Sequence, residues 1–265
     1  MHDQYVNVKP QENCGMCGYL WQTIRGIYHN QNKKYYIDFS NSIYRCENEN
    51  VWDLFFYQTH IDTKPNNENI EKEVGIIFDQ ESEFIWNDTI PNTMEEISNR
   101  RKIFGSIVQK YFKLKPNIQF KIDSFVEKHF NNKKVMAVHF RGTDHPEKKT
   151  MDEYLQQIKK YLPFYDVVFV SSDEYERFRL AEIALSHKIV SYDSLRSDIS
   201  NKPLHSHKLY SYGRNNNPEY QHKIAEDVII EAYLMSKSDF LVCCSASNVN
   251  YFARAINSNL ECVEL

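Results

Sequence analysis

The sequence predicts an α/β protein whose second half is a doubly wound parallel sheet. From Val135 onward, apolar strand-like runs alternate with helical runs, as successive β-α-β units require. One of these runs, DVVFVSSD, is almost continuously apolar, the composition of a strand buried on both faces. Near the N-terminus a glycine-bearing turn, a helical stretch and an aromatic-rich strand follow one another, which suggests a second open α/β lobe.

Taken in order, NCGMCGYLWQTIRGIYH carries Gly15 and Gly18 at the start of an apolar helical stretch, and KYYIDF (Lys34 to Phe39) reads as a strand. Residues Ser40 to Thr89 are mixed: VWDLFFYQ is apolar enough to be buried, whereas DTKPNNENIEK reads as a polar loop. Met94, Ile97, Ile103 or Phe104, Ile107, Val108 and Tyr111 follow three- and four-residue spacings, a helix that ends before Pro116. A second helix, NIQFKIDSFVEKHF, leads into the polar turn at Asn131 and Asn132, which divides a lobe of residues 1–130 from a lobe of residues 131–265. There VMAVHF, DVVFVSSD, KIVSYD, DFLVCCSA and LECVEL read as strands, separated by the helices DEYLQQIKKYL, YERFRLAEIALS, AEDVIIEAYLMSKS and SNVNYFARAI.

Composition narrows the function classes. Of 265 residues, 42% are hydrophobic and 26% charged, as in ordinary globular proteins, and the formal net charge of -4 argues against a dedicated nucleic-acid binder. The start, MHDQYVNVKPQEN, lacks a basic segment followed by an apolar one, and no apolar run nears the roughly 20 residues that span a bilayer, so a cytoplasmic protein without a transmembrane segment is expected. Six cysteines are too sparse for a disulfide scaffold, and the C-x-x-C of Cys14 and Cys17 lacks the second ligand pair of a structural zinc site; no metal is expected. The 34 Tyr and Phe residues (18 and 16) suit a core, or stacking on sugars and bases.

Ligands of open parallel sheets bind beyond the carboxyl ends of the strands. Three such ends carry polar groups. In HFRGTDH, Arg141 can fork onto a phosphate, Gly142 lets the backbone approach a ligand, and Asp144 or His145 can move a proton or orient a hydroxyl; alternatively, an Arg–Asp pair simply closes the turn. In SSDE, Asp173 can accept from the N–H edge of a guanine, or it caps the next helix. In CCSASNVN, Ser245, Ser247 and Asn248 precede a helix whose N-terminus suits an anion, although capping alone would also explain the serines.

AVHFRGTD resembles the H-x-R-R-T-D signature of the α1,6-fucosyltransferases, which include the rhizobial nodulation type and lie in a superfamily with the protein O-fucosyltransferases. EAYLMSKSDFLVCCSASNV resembles the later D-x-x-L-L-S-x-x-D-F-L-V-C block of that family, and NCGMCGYLWQTI loosely resembles its N-terminal glycine loop. The resemblance implies a GT-B-like α/β fold of two Rossmann-like lobes, with acceptor on residues 1–130 and a GDP-sugar on 131–265. It implies an inverting, metal-independent glycosyltransferase that moves fucose from GDP-fucose to a glycan hydroxyl, with no cofactor. By position, Arg141 would contact the β-phosphate, His139 and Asp173 would surround the guanosine, Ser245, Ser247 and Asn248 would hold phosphate or ribose, and Gly15 and Gly18 would lie beside the diphosphate. The candidates for the base are Asp144 and then Glu147. Two departures stand out: Gly142 replaces the second arginine of the family, and Glu231 replaces an aspartate. Transfer of another nucleotide-linked sugar and a non-catalytic nucleotide- or glycan-binding module are the alternatives.

Overall fold

A computed structural model describes residues 4–10, 14–46, 48–75, 94–142, 149–185, 188–198, 204, 218–244 and 247–265. These residues build two sheets in which every pairing is parallel. The first has the order β2-β1-β3, from β1 (Tyr5–Val8), β2 (Lys34–Ile37) and β3 (Ile70–Val74). The second has the order β6-β5-β4-β7-β8, from β4 (Val135–Phe140), β5 (Val167–Ser172), β6 (Ile189–Val190), β7 (Phe240–Cys243) and β8 (Glu261–Glu264). The helices are α1 (Met16–Tyr28), the short α2 (Trp52–Phe55), α3 (Met94–Tyr111), α4 (Pro116–His129), α5 (Met151–Tyr161), α6 (Tyr175–Leu185), α7 (Pro218–Ser236) and α8 (Asn248–Ile256).

Pro116 stands in the first turn of α4, where its missing N–H has no intrahelical partner to lose. Thr150 and Glu153 close a capping box at the start of α5. The central strands are buried along their whole length, as the apolar runs require. Their pleat sorts the core into two faces. Val135, Ala137, Val167, Phe169, Leu241 and Cys243 join one cluster, with residues of α4, α7 and α8. Met136, Val138, Phe140, Val168, Val170 and Val242 join the other, with Tyr154 and Ile158 of α5 and Phe178 of α6.

Two strands differ from the expectation. The segment Tyr5–Val8 is the central strand of the first sheet, although four residues are too few for a clear strand period. Ile70–Val74 falls partly in the segment read as a polar loop, yet it pairs with β1 as an edge strand whose charged residues face outward. VWDLFFYQ does bury Trp52, Phe55 and Phe56, through a single helical turn.

The apolar core does not divide as the sheets do. One cluster runs from Val6 and Trp21 through Phe112 to Phe252 and Leu260. Helix α8, C-terminal in sequence, packs on α1, α3 and α7. Tyr251 stacks on Trp21 of α1 at 5.8 Å, while Phe252 meets Phe112 at 5.7 Å and Tyr233 at 6.0 Å. Because Phe252 is fully buried at this junction, we expect Phe252→Ala to lose about 3–5 kcal/mol. Urea unfolding followed by near- and far-ultraviolet circular dichroism should show one shared transition, shifted to lower urea.

Candidate functional site

Strand order reverses between β4 and β7, neighbours in the sheet whose chain connections leave in opposite directions. Crevices at such switch points, beyond the carboxyl ends of the strands, are where open parallel sheets bind ligands. Arg141 follows β4 and Ser247 follows β7, so both flank this position.

Inside the crevice, side-chain parity sets the chemistry. His139 pairs in register with Ser171 of β5, and the pleat places both with Ala137 and Phe169 on the side covered by α7 and α8. His139 Nδ1 lies 3.2 Å from Ser171 Oγ, and its Nε2 lies 3.2 Å from Ser247 Oγ. Ser171 in turn donates to Glu231 Oε2 of α7 at 2.7 Å, and Ser194 donates to Glu231 Oε1 at 2.6 Å. A continuous polar chain thus runs from Glu231 through Ser171 and His139 to Ser247. It holds in two proton arrangements. With Glu231 ionised, Ser171 donates to it and accepts from Nδ1–H of His139; with Glu231 protonated, every donor reverses.

Burial sets the charge of this chain. It lowers the imidazole of His139 to about 4; the carboxylate of Asp173 partly opposes this effect and Arg141 adds to it. Burial raises Glu231 to about 7, against the nearby Arg196 guanidinium and the two serine hydroxyls. Asp227, one turn earlier on α7, is also raised by burial, while Leu195 N–H and Lys223 donate to it at 2.9 and 3.0 Å.

At the mouth, Arg141 Nη1 donates to Asp173 Oδ2 at 2.5 Å, and Gly142 N–H donates to Asp173 Oδ1 at 2.9 Å. One carboxylate therefore fixes both the guanidinium and the backbone behind it. Two helix N-termini meet beside this pair. A side chain at Gly18 of α1 would begin 3.5 Å from Asn248 Nδ2 of α8, and the neighbouring Cys17 feels the charges of Arg141 and Glu231. Neither N-cap residue caps its helix through a side chain: Gly15 can offer none, and the Ser247 hydroxyl is turned to His139; at α1 the Met16 N–H goes to the Tyr44 hydroxyl at 3.1 Å and the Gly18 N–H to the Gly15 carbonyl at 2.7 Å. Asn248 Oδ1 is buried there without a hydrogen-bond partner among the described residues. His139, Arg141, Asp173, Leu195, Asp227 and Glu231 line a cavity of about 60 Å³ below this mouth.

Comparison of the sequence with protein-family models and with curated proteins finds no match. Comparison of the structure does. NodZ α-1,6-fucosyltransferase co-crystallized with GDP superposes with a TM-score of 0.56 over 96% of this chain and 92% of that chain, at 15% identity. The same enzyme soaked with GDP-fucose gives 0.53 over 96% and 92%, and fucosyltransferase NodZ from Bradyrhizobium gives 0.55 over 96% and 93%, both at 15% identity. The chain has the GT-B fold of these fucosyltransferases. The two parallel sheets are those of that GT-B architecture, as the sequence motifs implied.

On this GT-B frame, Gly15, Gly18, His139, Arg141, Asp173, Ser247 and Asn248 gather around one crevice. Asp144, Glu147 and Ser245 lie outside the described residues, as does His145. Of the aromatic side chains considered for sugar stacking, Trp52, Phe55 and Phe56 are core, Tyr57 is exposed under the Lys115 ammonium, and Trp86 lies outside the described residues. Glu231 was visible only as a departure from the motif the sequence resembles, and Asp227 not at all; Glu231 interrupts the apolar run DVIIEAYLM and Asp227 opens it, the one signal that could have marked them.

Gly142 has a local physical cause. A Cβ there would sit 2.2 Å from Glu174 Oε2 and 2.8 Å from Glu174 Cβ, distances no packed side chain adopts. Glu174 is held by Arg177, whose Nε lies 3.1 Å from Glu174 Oε2 and whose Nη1 donates to the Lys149 carbonyl at 2.8 Å. The space of a second loop arginine is thus taken by a buried ion pair.

Gly142→Ala should cost about 1–3 kcal/mol by overpacking, measured by chemical denaturation. Glu231 gives a pH test. Its acid is held more tightly folded (about 7) than unfolded (4.5), so its contribution to stability is complete below about pH 4.5 and is lost as pH rises to about 7. Glu231→Gln should therefore gain melting temperature relative to the parent across that interval, by a few degrees, and the difference should level off above pH 7. His139 is common to both proteins and drops out of the comparison.

Proposed function

We propose that this chain is an inverting glycosyltransferase that moves fucose from GDP-fucose to the hydroxyl of a glycan, without a metal in the transfer step. The observation that carries the reading is the convergence of Arg141 with the N-termini of α1 and α8 at the switch point of the second sheet. A diphosphate needs such a place: a fixed guanidinium and the positive ends of two helix dipoles. The relatives of the same fold were crystallised with GDP and soaked with GDP-fucose, which supports the same donor class here.

In this reading residues 131–265 hold the donor and residues 1–130 face the acceptor. Asp173 serves to aim Arg141, since its two oxygens take the guanidinium and the Gly142 N–H. The base then lies over the cavity whose floor carries Glu231 and Asp227; at about 60 Å³ the cavity admits the edge of a base and not a whole purine. Guanine offers neighbouring N1–H and N2–H donors to such carboxylates, whereas uracil would set carbonyl oxygens against them. Ser247, Asn248 and Ser245 hold phosphate or ribose, and the buried Oδ1 of Asn248, without a partner among the described residues, is an acceptor for a ligand hydroxyl.

The acceptor oxygen attacks C1 of the sugar as the C1–O bond to the β-phosphate breaks, and its proton passes to a carboxylate, Asp144 or Glu147. Negative charge grows on the leaving phosphate, where Arg141 and the helix N-termini stabilise it. Because that charge is larger in the transition state than in the bound donor, Arg141→Ala should lower turnover by about 10²–10³-fold.

The test is a thermal-shift titration with GDP, GDP-fucose, GDP-mannose and UDP in EDTA, on the parent and Arg141→Ala, followed by donor turnover with glycan acceptors. GDP compounds should raise the melting temperature, UDP should not, and the variant should lose the shift. Absence of any nucleotide shift would remove the transferase reading. A GDP shift without turnover on any acceptor would leave a binding module.

A further inference from the structure

Away from the crevice, a short loop of the first half of the chain reaches the start of α7. Cys46 and Glu49 on that loop and His222 on the helix each offer a ligand atom, and the three atoms lie within 4.8 Å of one another. Glu49 Oε1 is 2.5 Å from His222 Nε2 and accepts from the Cys46 N–H at 2.6 Å, so the loop turns its carboxylate and its thiol toward the same imidazole. All three side chains are half-buried, accessible to an ion yet held in place.

We propose that Cys46, Glu49 and His222 form a zinc site that clasps the loop to α7. The donor set selects the metal: sulfur and imidazole suit a borderline-soft ion, whereas magnesium and calcium take oxygen. In tetrahedral zinc the ligand atoms stand about 3.3–3.6 Å apart, so side-chain movements on the order of 1 Å complete the site, with water in the fourth position. Binding converts the Cys46 thiol to a zinc-bound thiolate and releases its proton to solvent.

The site lies where it can stiffen the crevice without touching it. Tyr44, on the same loop, accepts the Met16 N–H at the first turn of α1 through its hydroxyl at 3.1 Å. His222 lies in the second turn of the helix that carries Asp227 and Glu231. A metal clasp therefore joins the supports of both walls, and it has no part in the transfer step.

Protein freed of metal by a chelator, with the chelator then removed, would be titrated with zinc chloride by calorimetry and thermal shift, alongside Cys46→Ser and His222→Ala. The parent should bind one zinc per chain and melt higher, magnesium should do nothing, and each variant should bind more than about 100-fold more weakly, beyond the loss typical of an outer-sphere partner. Cobalt in place of zinc should give a thiolate-to-metal charge-transfer band that Cys46→Ser lacks. Metal-free circular dichroism shows whether each variant is folded, and Cys46→Ser alone suffices if His222→Ala is not. No stoichiometric binding by the parent, equal zinc affinity in a folded Cys46→Ser, or a cobalt complex without the thiolate band would each overturn the site.

Discussion

Strand β4 can place its odd residues only on one side of the sheet and its even residues on the other, and the crevice depends on that parity. Val135 and Ala137 join the face under α7 and α8, so His139 must point there too, into a helix-covered interior. Register does the same for Ser171 on β5. A slip of one residue would turn both away and leave Glu231 without its Ser171 partner, a buried carboxylate with one hydroxyl fewer. The apolar residues that fix the register therefore also fix the polar chain, and they do so with far more free energy: each fully buried Val or Phe contributes about 1.5–3 kcal/mol, against about 1 kcal/mol net for a neutral hydrogen bond.

The polar chain is electrostatically balanced rather than simply stabilising. Burial disfavours charge on both ends, lowering His139 and raising Glu231. A depressed histidine favours the folded state as pH rises toward 6.5, whereas a raised glutamic acid favours it as pH falls toward 4.5. Over the shared interval the two contributions oppose each other, so the stability of the parent should vary less with pH than either group alone would impose. At neutral pH His139 is an uncharged connector, and Glu231 is the member whose charge can respond to what enters the cavity.

Much of this was legible in the sequence. DVVFVSSD, VMAVHF and DFLVCCSA could hardly be anything but central strands, and their polar ends named Arg141, Asp173 and Ser247 directly. What escaped had physical reasons. β1 is four residues long, and its partners lie far along the chain, so nothing local marks it. β3 is an edge strand, and outward charges make an edge look like a loop. Asp227 and Glu231 are helix carboxylates, and periodicity alone cannot distinguish a solvated one from one buried against a sheet. Asp173 belongs to a different class: its position was evident, but its engagement by Arg141 depends on β4 and β5 being neighbours.

Gly142 raises the question of whether one loop arginine can serve the proposed diphosphate where the fucosyltransferase motif that the sequence resembles has two. The second cation is excluded sterically, because Glu174 fills its place and Arg177, the nearest guanidinium, is committed to that carboxylate and to the Lys149 carbonyl. Two helix N-termini, each equivalent to roughly half a positive charge, supply about the charge of one arginine. They do so from backbone groups that need no side-chain ordering and carry no counter-charge. Arg141 is different, because Asp173 partly neutralises it until a more highly charged anion arrives. In the proposed transfer, a phosphate that gains charge would compete better with Asp173 for the guanidinium than one that does not, so the pairing that holds Arg141 in place would also weight its stabilisation toward the departing group.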